Sequence, residues 1–201
     1  MKYFVAQIEE LKKRFSFDNT LSEREKVSLL TKKFLIDELK KQGFEFDFTM
    51  IKEAKGKPFF KHNKDCFFNL SHTKKYVAVC FDNVPIGIDI EQVRKNKLPL
   101  VERFFHPKEV EYLKQTNNLH SKNKNISVFD LAFTQLWTIK EAYVKMKGVG
   151  IANNFKNINL SPKSFCPNQK YSVNEIEIQT FFLSQENSFL SICRERKVLL
   201  L

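Results

Sequence analysis

The chain lacks the short patterns that would fix a metal knuckle, a redox dithiol or a hydrolase triad. Its four cysteines, Cys66, Cys80, Cys166 and Cys193, contain no CxxC pair and have no His at zinc-finger spacing, so buried free thiols in a reducing compartment are expected. No stretch approaches the ~20 apolar residues of a membrane span, and residues 1–15 mix charges with apolar residues at every turn, without a signal-peptide core. A cytoplasmic protein that does not enter membranes is expected. No block of five like charges occurs, which excludes an acidic or basic tail. The 21 phenylalanines could offer stacking surface, but they fall mostly at strand and helix core positions with no RNP-like pattern, so no nucleic-acid ligand is expected. A Ser-His-Asp or Cys-His arrangement is also missing.

What is present is a chain of 201 residues, enough for one or two domains that bury roughly 70% of the unfolded surface without staples. Lysine and arginine number 34 against 23 acids, a net +11. Such a balance favours acidic proteins, anionic surfaces or phosphorylated ligands, and it is equally compatible with a solvated Lys-rich surface.

The hydrophobic patterning predicts an α+β fold. Residues 1–8 alternate as a first strand. Ser22 and Glu25 form a capping box ahead of a helix marked by Val27, Leu30, Phe34 and Leu39 and stopped at Gly43. After a Gly56-Lys57-Pro58 turn, residues 66–70, 76–81 and 86–91 read as strands of a small meander, with Asp82-Asn83 turning the chain. The second half repeats the plan: a short helix over 107–115, a polar loop over 116–127, and a long helix over 128–147 ended by Gly148 and Gly150. Strands over 175–184 and 188–195 follow, with Glu186-Asn187 at their turn. The element order predicts two similar halves, 1–88 and 89–201.

Two stretches carry the chemistry. In Gly87-Ile88-Asp89-Ile90-Glu91, strand alternation puts Asp89 and Glu91 on one face and the isoleucines on the other. Paired carboxylates suit a hard cation such as Mg²⁺, though a solvated strand end gives the same pattern. On the 128–147 helix, which contains the second stretch, Trp137 to Lys145, the apolar stripe of Phe129, Ala132, Phe133, Leu136, Ile139 and Tyr143 leaves Glu141 and Lys145 on roughly the opposite side. That fits an exposed (i, i+4) pair, while Trp137 and Val144 beside Glu141 suggest a cleft. Ser71 and His72 at a strand end could donate to phosphate oxygens, and Lys57 sits in a stiff turn that could present it to an anion. Both features also suit a purely structural role.

The ordered set Gly56-Lys57-Pro58, Phe68-Asn69-Leu70-Ser71-His72, Gly87 to Glu91, Arg103-Phe104-Phe105 with Glu109, and Trp137 to Lys145 resembles the 4′-phosphopantetheinyl transferases of the longer, surfactin-synthetase-activating type. The resemblance implies a pseudo-twofold fold, each half a long helix on a small antiparallel sheet, with the site between the halves. It implies transfer of the phosphopantetheine arm of coenzyme A to a serine of an apo acyl or peptidyl carrier protein, with Mg²⁺ and release of 3′,5′-adenosine diphosphate. Asp89, Glu91 and Glu141 match the magnesium-binding acids, and Lys57, Ser71, His72, Lys140 and Lys145 match contacts to the coenzyme. Glu141, Lys145 and His72 are the catalytic candidates, with Glu109 an alternative base. Where relatives carry a basic residue near the end of the first long helix for the 3′-phosphate, this chain has Ile36, with Lys32 and Lys33 a turn earlier. A self-contained pair of halves favours a monomer; the competing reading is a non-catalytic module that binds coenzyme A or a nucleotide.

Overall fold

Both long helices start at a serine whose side chain accepts from the backbone N–H three residues on, while the acid there reaches back. Ser22 with Glu25 caps α2 (Glu23–Lys41) and Ser127 with Asp130 caps α5 (Val128–Lys147), which ends at a left-handed Gly148. A computed structural model of the protein describes residues 1–18, 20–52, 56–95, 98–116, 126–149 and 155–196. Gly150 and most of the expected 116–127 loop lie outside them.

The remaining elements in the first half are β1 (Lys2–Gln7), α1 (Ile8–Arg14), β2 (Met50–Lys52), β3 (Pro58–Phe60), β4 (Phe67–His72) and β5 (Tyr76–Asp82). In the second half come β6 (Ile86–Gln92), α3 (Leu98–Phe104), α4 (Pro107–Thr116), β7 (Gln169–Val173), β8 (Ile176–Leu183) and β9 (Ser188–Glu195). The result is α+β, as expected, with antiparallel sheets ordered β1-β5-β4 and β6-β9-β8-β7 and a separate β2-β3 ribbon. The expected meander of β4, β5 and β6 does not form. β6 leaves β5 and pairs along its length with β9, from Ile86 opposite Arg194 to Gln92 opposite Ser188. The chain therefore changes sheet just before Ile86, and the expected boundary at residue 88 falls inside a strand.

α2 lies over β4 and β5, burying Leu30, Phe34, Leu35 and Leu39 against Phe68, Val79 and Phe81. Between the halves, Ile86, Ile88 and Ile90 of β6 pack with Ala78 and Cys80 of β5 and Leu190 and Ile192 of β9. Side chains of β4 close what backbone pairing leaves open: the Ile88 N–H donates to Asn69 Oδ1 at 3.2 Å and the Ile90 N–H to Ser71 Oγ at 3.4 Å. Cys66, Cys80 and Cys193 are buried free thiols, as expected, but Cys166 is exposed.

The opposite face of β6 carries α5, and Gly87 sets how close the helix comes. A Cβ there would lie 2.0 Å from the Ala142 carbonyl oxygen and 2.6 Å from the Met146 nitrogen, well inside van der Waals contact. A buried hydroxyl chain secures the same helix to its sheet, with Thr138 Oγ1 2.7 Å from Ser191 Oγ and Ser191 Oγ donating to Thr180 Oγ1 at 3.2 Å.

Lys140 and Glu109, a coenzyme contact and an alternative base by resemblance, form an ion pair with neither side chain exposed. The Lys140 ammonium donates to both Glu109 oxygens, at 3.0 and 2.8 Å, and to the Ile158 carbonyl at 2.9 Å. Glu109 also accepts from the backbone N–H of Leu160 at 2.8 Å and of His106 at 3.0 Å. Burial pulls the ammonium below the usual lysine range, and the adjoining carboxylate opposes that shift. The pair joins α4, α5 and the 155–160 segment, and in this structure both side chains are engaged within the protein.

Two predictions follow from this packing. Gly87→Ala should lower stability by ~3 kcal/mol or more, the upper end for overpacking, because backbone rather than a side-chain tip must move; a urea midpoint equal to that of the native chain would refute the close approach. Lys140→Met should cost about 3–5 kcal/mol by leaving Glu109 buried and unpaired, while Lys140→Met with Glu109→Leu should regain most of it. The same urea titrations read out this pair of variants.

Candidate active site

Period-two alternation on β6 puts Gly87, Asp89 and Glu91 on the face toward α5. Because Ala142 and Met146 rest on Gly87, residues one position before each, Glu141 and Lys145, lie along the flank near Asp89. Asp89 is buried at 3% exposure and Glu141 at 8%, so the expected solvent-facing side of α5 is instead enclosed. The flanking Val144 is buried too and Trp137 partly so, in line with the cleft that these apolar residues suggest.

Asp89 is the hub. Its Oδ1 accepts from Lys145 Nζ at 2.6 Å and from Ser71 Oγ at 2.7 Å, and the ammonium also reaches Ser71 Oγ at 3.1 Å. Its Oδ2 is buried with no hydrogen-bond partner. Burial, followed by the repulsion of Asp89, pushes the Glu141 carboxyl up to about 7; Lys145 opposes this and Glu91 adds to it. Glu91 is raised for the same two reasons, with Arg94 and Lys145 opposing. Glu141 and Glu91 are thus raised together, by burial first and by the neighbouring Asp89 second. Among the described residues no three His, Cys, Asp or Glu side chains are gathered as a ready metal cage, and Lys145 already holds one oxygen of Asp89.

The other expected contacts divide. His72 is exposed at the end of β4 and, with Glu91, lines a groove of about 620 Å³ that also takes in Lys12, Arg24, Lys74 and Arg94. Lys12 is partnered there by Glu9 and Glu23. Lys57 instead crosses to the other half, donating from Nζ to the Met146 carbonyl at the end of α5 at 2.6 Å. Lys140 belongs to the buried pair with Glu109. Ile36, Lys32 and Lys33 do not line the groove; Lys33 donates to the Ser16 carbonyl.

Sequence reasoning missed the basic residues of α1 and its neighbours. α1 runs directly out of β1 with no side-chain cap, so no start signal announces it. Asn69 was missed as well, although its two-residue spacing from Ser71 places both side chains on the same face of β4, toward β6.

Comparison with known proteins agrees with this geometry. A family model described as the 4′-phosphopantetheinyl transferase superfamily matches residues 85–194, which begins where the chain changes sheet and ends within β9. The chain is 37% identical over 123 residues to the 4′-phosphopantetheinyl transferase gsp of Aneurinibacillus migulanus, covering 61% of this chain and 47% of that one. It is 36% identical over 97 residues to the transferase Sfp of Bacillus subtilis, covering 48% and 40%. It is 37% identical over 107 residues to the transferase HetI of Nostoc, covering 50% and 41%. The matched stretches thus span somewhat less than half the length of these curated relatives. With over half of its residues matched by the family model, the chain belongs to the 4′-phosphopantetheinyl transferase superfamily.

Proposed function

We propose that the protein transfers the 4′-phosphopantetheine group of coenzyme A to a serine of an apo acyl or peptidyl carrier protein. The observation that carries this reading is the meeting of Asp89, Glu91, Glu141 and Lys145 from two distant stretches of chain. The relatives named above are transferases of this kind, and a cleft bordered by acids and lined farther along by basic groups suits a ligand that is itself a pyrophosphate.

The donor set fits a divalent cation chemically: it is all carboxylate, one buried oxygen has no partner, and the neighbouring Glu141 and Glu91 are raised by burial and by the repulsion of Asp89. Asp89, Glu91 and Glu141 would hold Mg²⁺, which when bound supplies positive charge to the pyrophosphate oxygens. The rest falls to the chain. His72 and the basic lining of its groove bind the phosphates of the coenzyme, and Lys145, beside Asp89, stabilises charge on the bridging oxygen as it departs. The carrier serine oxygen forms a bond to the phosphorus that bears the pantetheine arm, and the bond from that phosphorus to the bridging oxygen breaks, releasing 3′,5′-adenosine diphosphate. Glu141, on the helix facing the strand acids, takes the serine proton or orients the group that takes it. No nucleophile is needed in the enzyme, because the hydroxyl arrives on its partner and placement supplies much of the rate.

Incubation with coenzyme A, Mg²⁺ and a panel of apo carrier proteins, read by mass spectrometry of the carrier, tests the proposal. The expected result is one added phosphopantetheine unit, abolished by Asp89→Asn. No gain on any carrier would leave a coenzyme-binding module. Glu141→Gln should lower turnover by ~10²–10⁴-fold at pH 7, the range for loss of a general base, and unchanged turnover would remove that role. Because the net charge is +11 and carriers are expected to be acidic around the serine, modification should slow as salt rises toward physiological strength. A flat rate would sever the charge from docking.

A further inference from the structure

The resemblance gives Ser71 to the coenzyme, but its hydroxyl has nothing left to donate. A serine hydroxyl carries one proton and two lone pairs. The Ile90 N–H at 3.4 Å and the Lys145 ammonium at 3.1 Å are donors only, so they take both lone pairs, and the proton goes to Asp89 Oδ1 at 2.7 Å. Ser71 itself is buried at 7% exposure, and all three of its hydrogen-bonding positions are filled from within the protein.

The consequence falls on Asp89. Oδ1 is held from two sides, by Ser71 on β4 and Lys145 on α5, while Oδ2 is buried with no donor in reach. A buried acceptor left bare costs free energy, more so when it is part of a charged group, and a bound ion or water is one of the things that can satisfy it. Asn69, two residues before Ser71, accepts the Ile88 N–H and fixes the register of β6 against β4, which keeps the Asp89 backbone beside Ser71.

We propose that Ser71 is a positioning residue for a divalent cation, its hydroxyl and the Lys145 ammonium together turning Asp89 so that Oδ2 is the oxygen offered for coordination. This rests on the magnesium-dependent reading above. It takes Ser71 out of the phosphate-binding set and places it behind the carboxylate, where such partners set ligand orientation and metal affinity.

The test is calorimetric titration of Mg²⁺ alone into the native protein, Ser71→Ala and Ser71→Thr, with a parallel titration of coenzyme A in the presence of EDTA. Ser71→Ala should weaken Mg²⁺ binding ~10–100-fold, the usual effect of losing a group that orients a ligand, and Ser71→Thr, which keeps the hydroxyl, should restore most of it. Coenzyme affinity in EDTA should not change in either variant. If Ser71→Ala does not fold, Ser71→Cys, close in shape and a much weaker donor, carries the same comparison. Mg²⁺ affinity equal to the native value in Ser71→Ala or Ser71→Cys, or coenzyme affinity in EDTA lost with the hydroxyl, would overturn the positioning role while leaving the transferase reading intact. A native protein with no measurable Mg²⁺ affinity would overturn both.

Discussion

The absence of a side chain at Gly87 decides where α5 can lie. With nothing between the β6 backbone and the Ala142 carbonyl, helix and strand approach more closely than any two side-chain-bearing residues allow. Every other feature of the site is measured from that contact: Asp89 stands two residues along the strand, and Glu141 and Lys145 stand beside the helical residues that touch it. The hydroxyls of Thr138, Ser191 and Thr180 then prevent the helix from rotating or sliding. A cleft built this way owes its shape to backbone packing, which is stiff, and not to flexible side chains.

Two of the lysines on α5, Lys140 and Lys145, are in opposite situations. Lys140 meets a carboxylate whose two oxygens each accept two donors, behind a wall that includes Phe105 and Phe155. That pair is complete and serves the packing of the second half. Lys145 meets a carboxylate satisfied on one side only, with two further acids close enough to be raised by it. One acid–lysine contact is closed and structural; the other leaves a buried carboxylate oxygen without a donor.

Much of this was readable from the residues. The capping serines, Ser22 and Ser127, announced both long helices because a cap is a local hydrogen bond that needs no tertiary context. Alternation along Ile86 to Glu91 placed Asp89 on the correct face for the same reason. What failed depended on partners far away in sequence. Strand β6 looked like the third strand of a meander because its neighbour in sequence is β5, but its ladder is with β9, about a hundred residues on. No periodicity reveals that Glu109 lies behind Lys140, 31 residues back in sequence. Strand β7 is short, polar and alternately exposed, so its sequence differs little from a loop.

The joint between the halves is bridged at Asn69 and Ser71 by side chains reaching single backbone amides of β6, not by a continuous ladder. A ladder fixes strand spacing through the main chain, which substitution can scarcely alter, whereas a bridge of side chains has a length set by residue choice. The spacing of the two sheets at this joint is therefore an adjustable dimension: a change of one or two atoms at these positions shifts it while both sheets keep their own pairing.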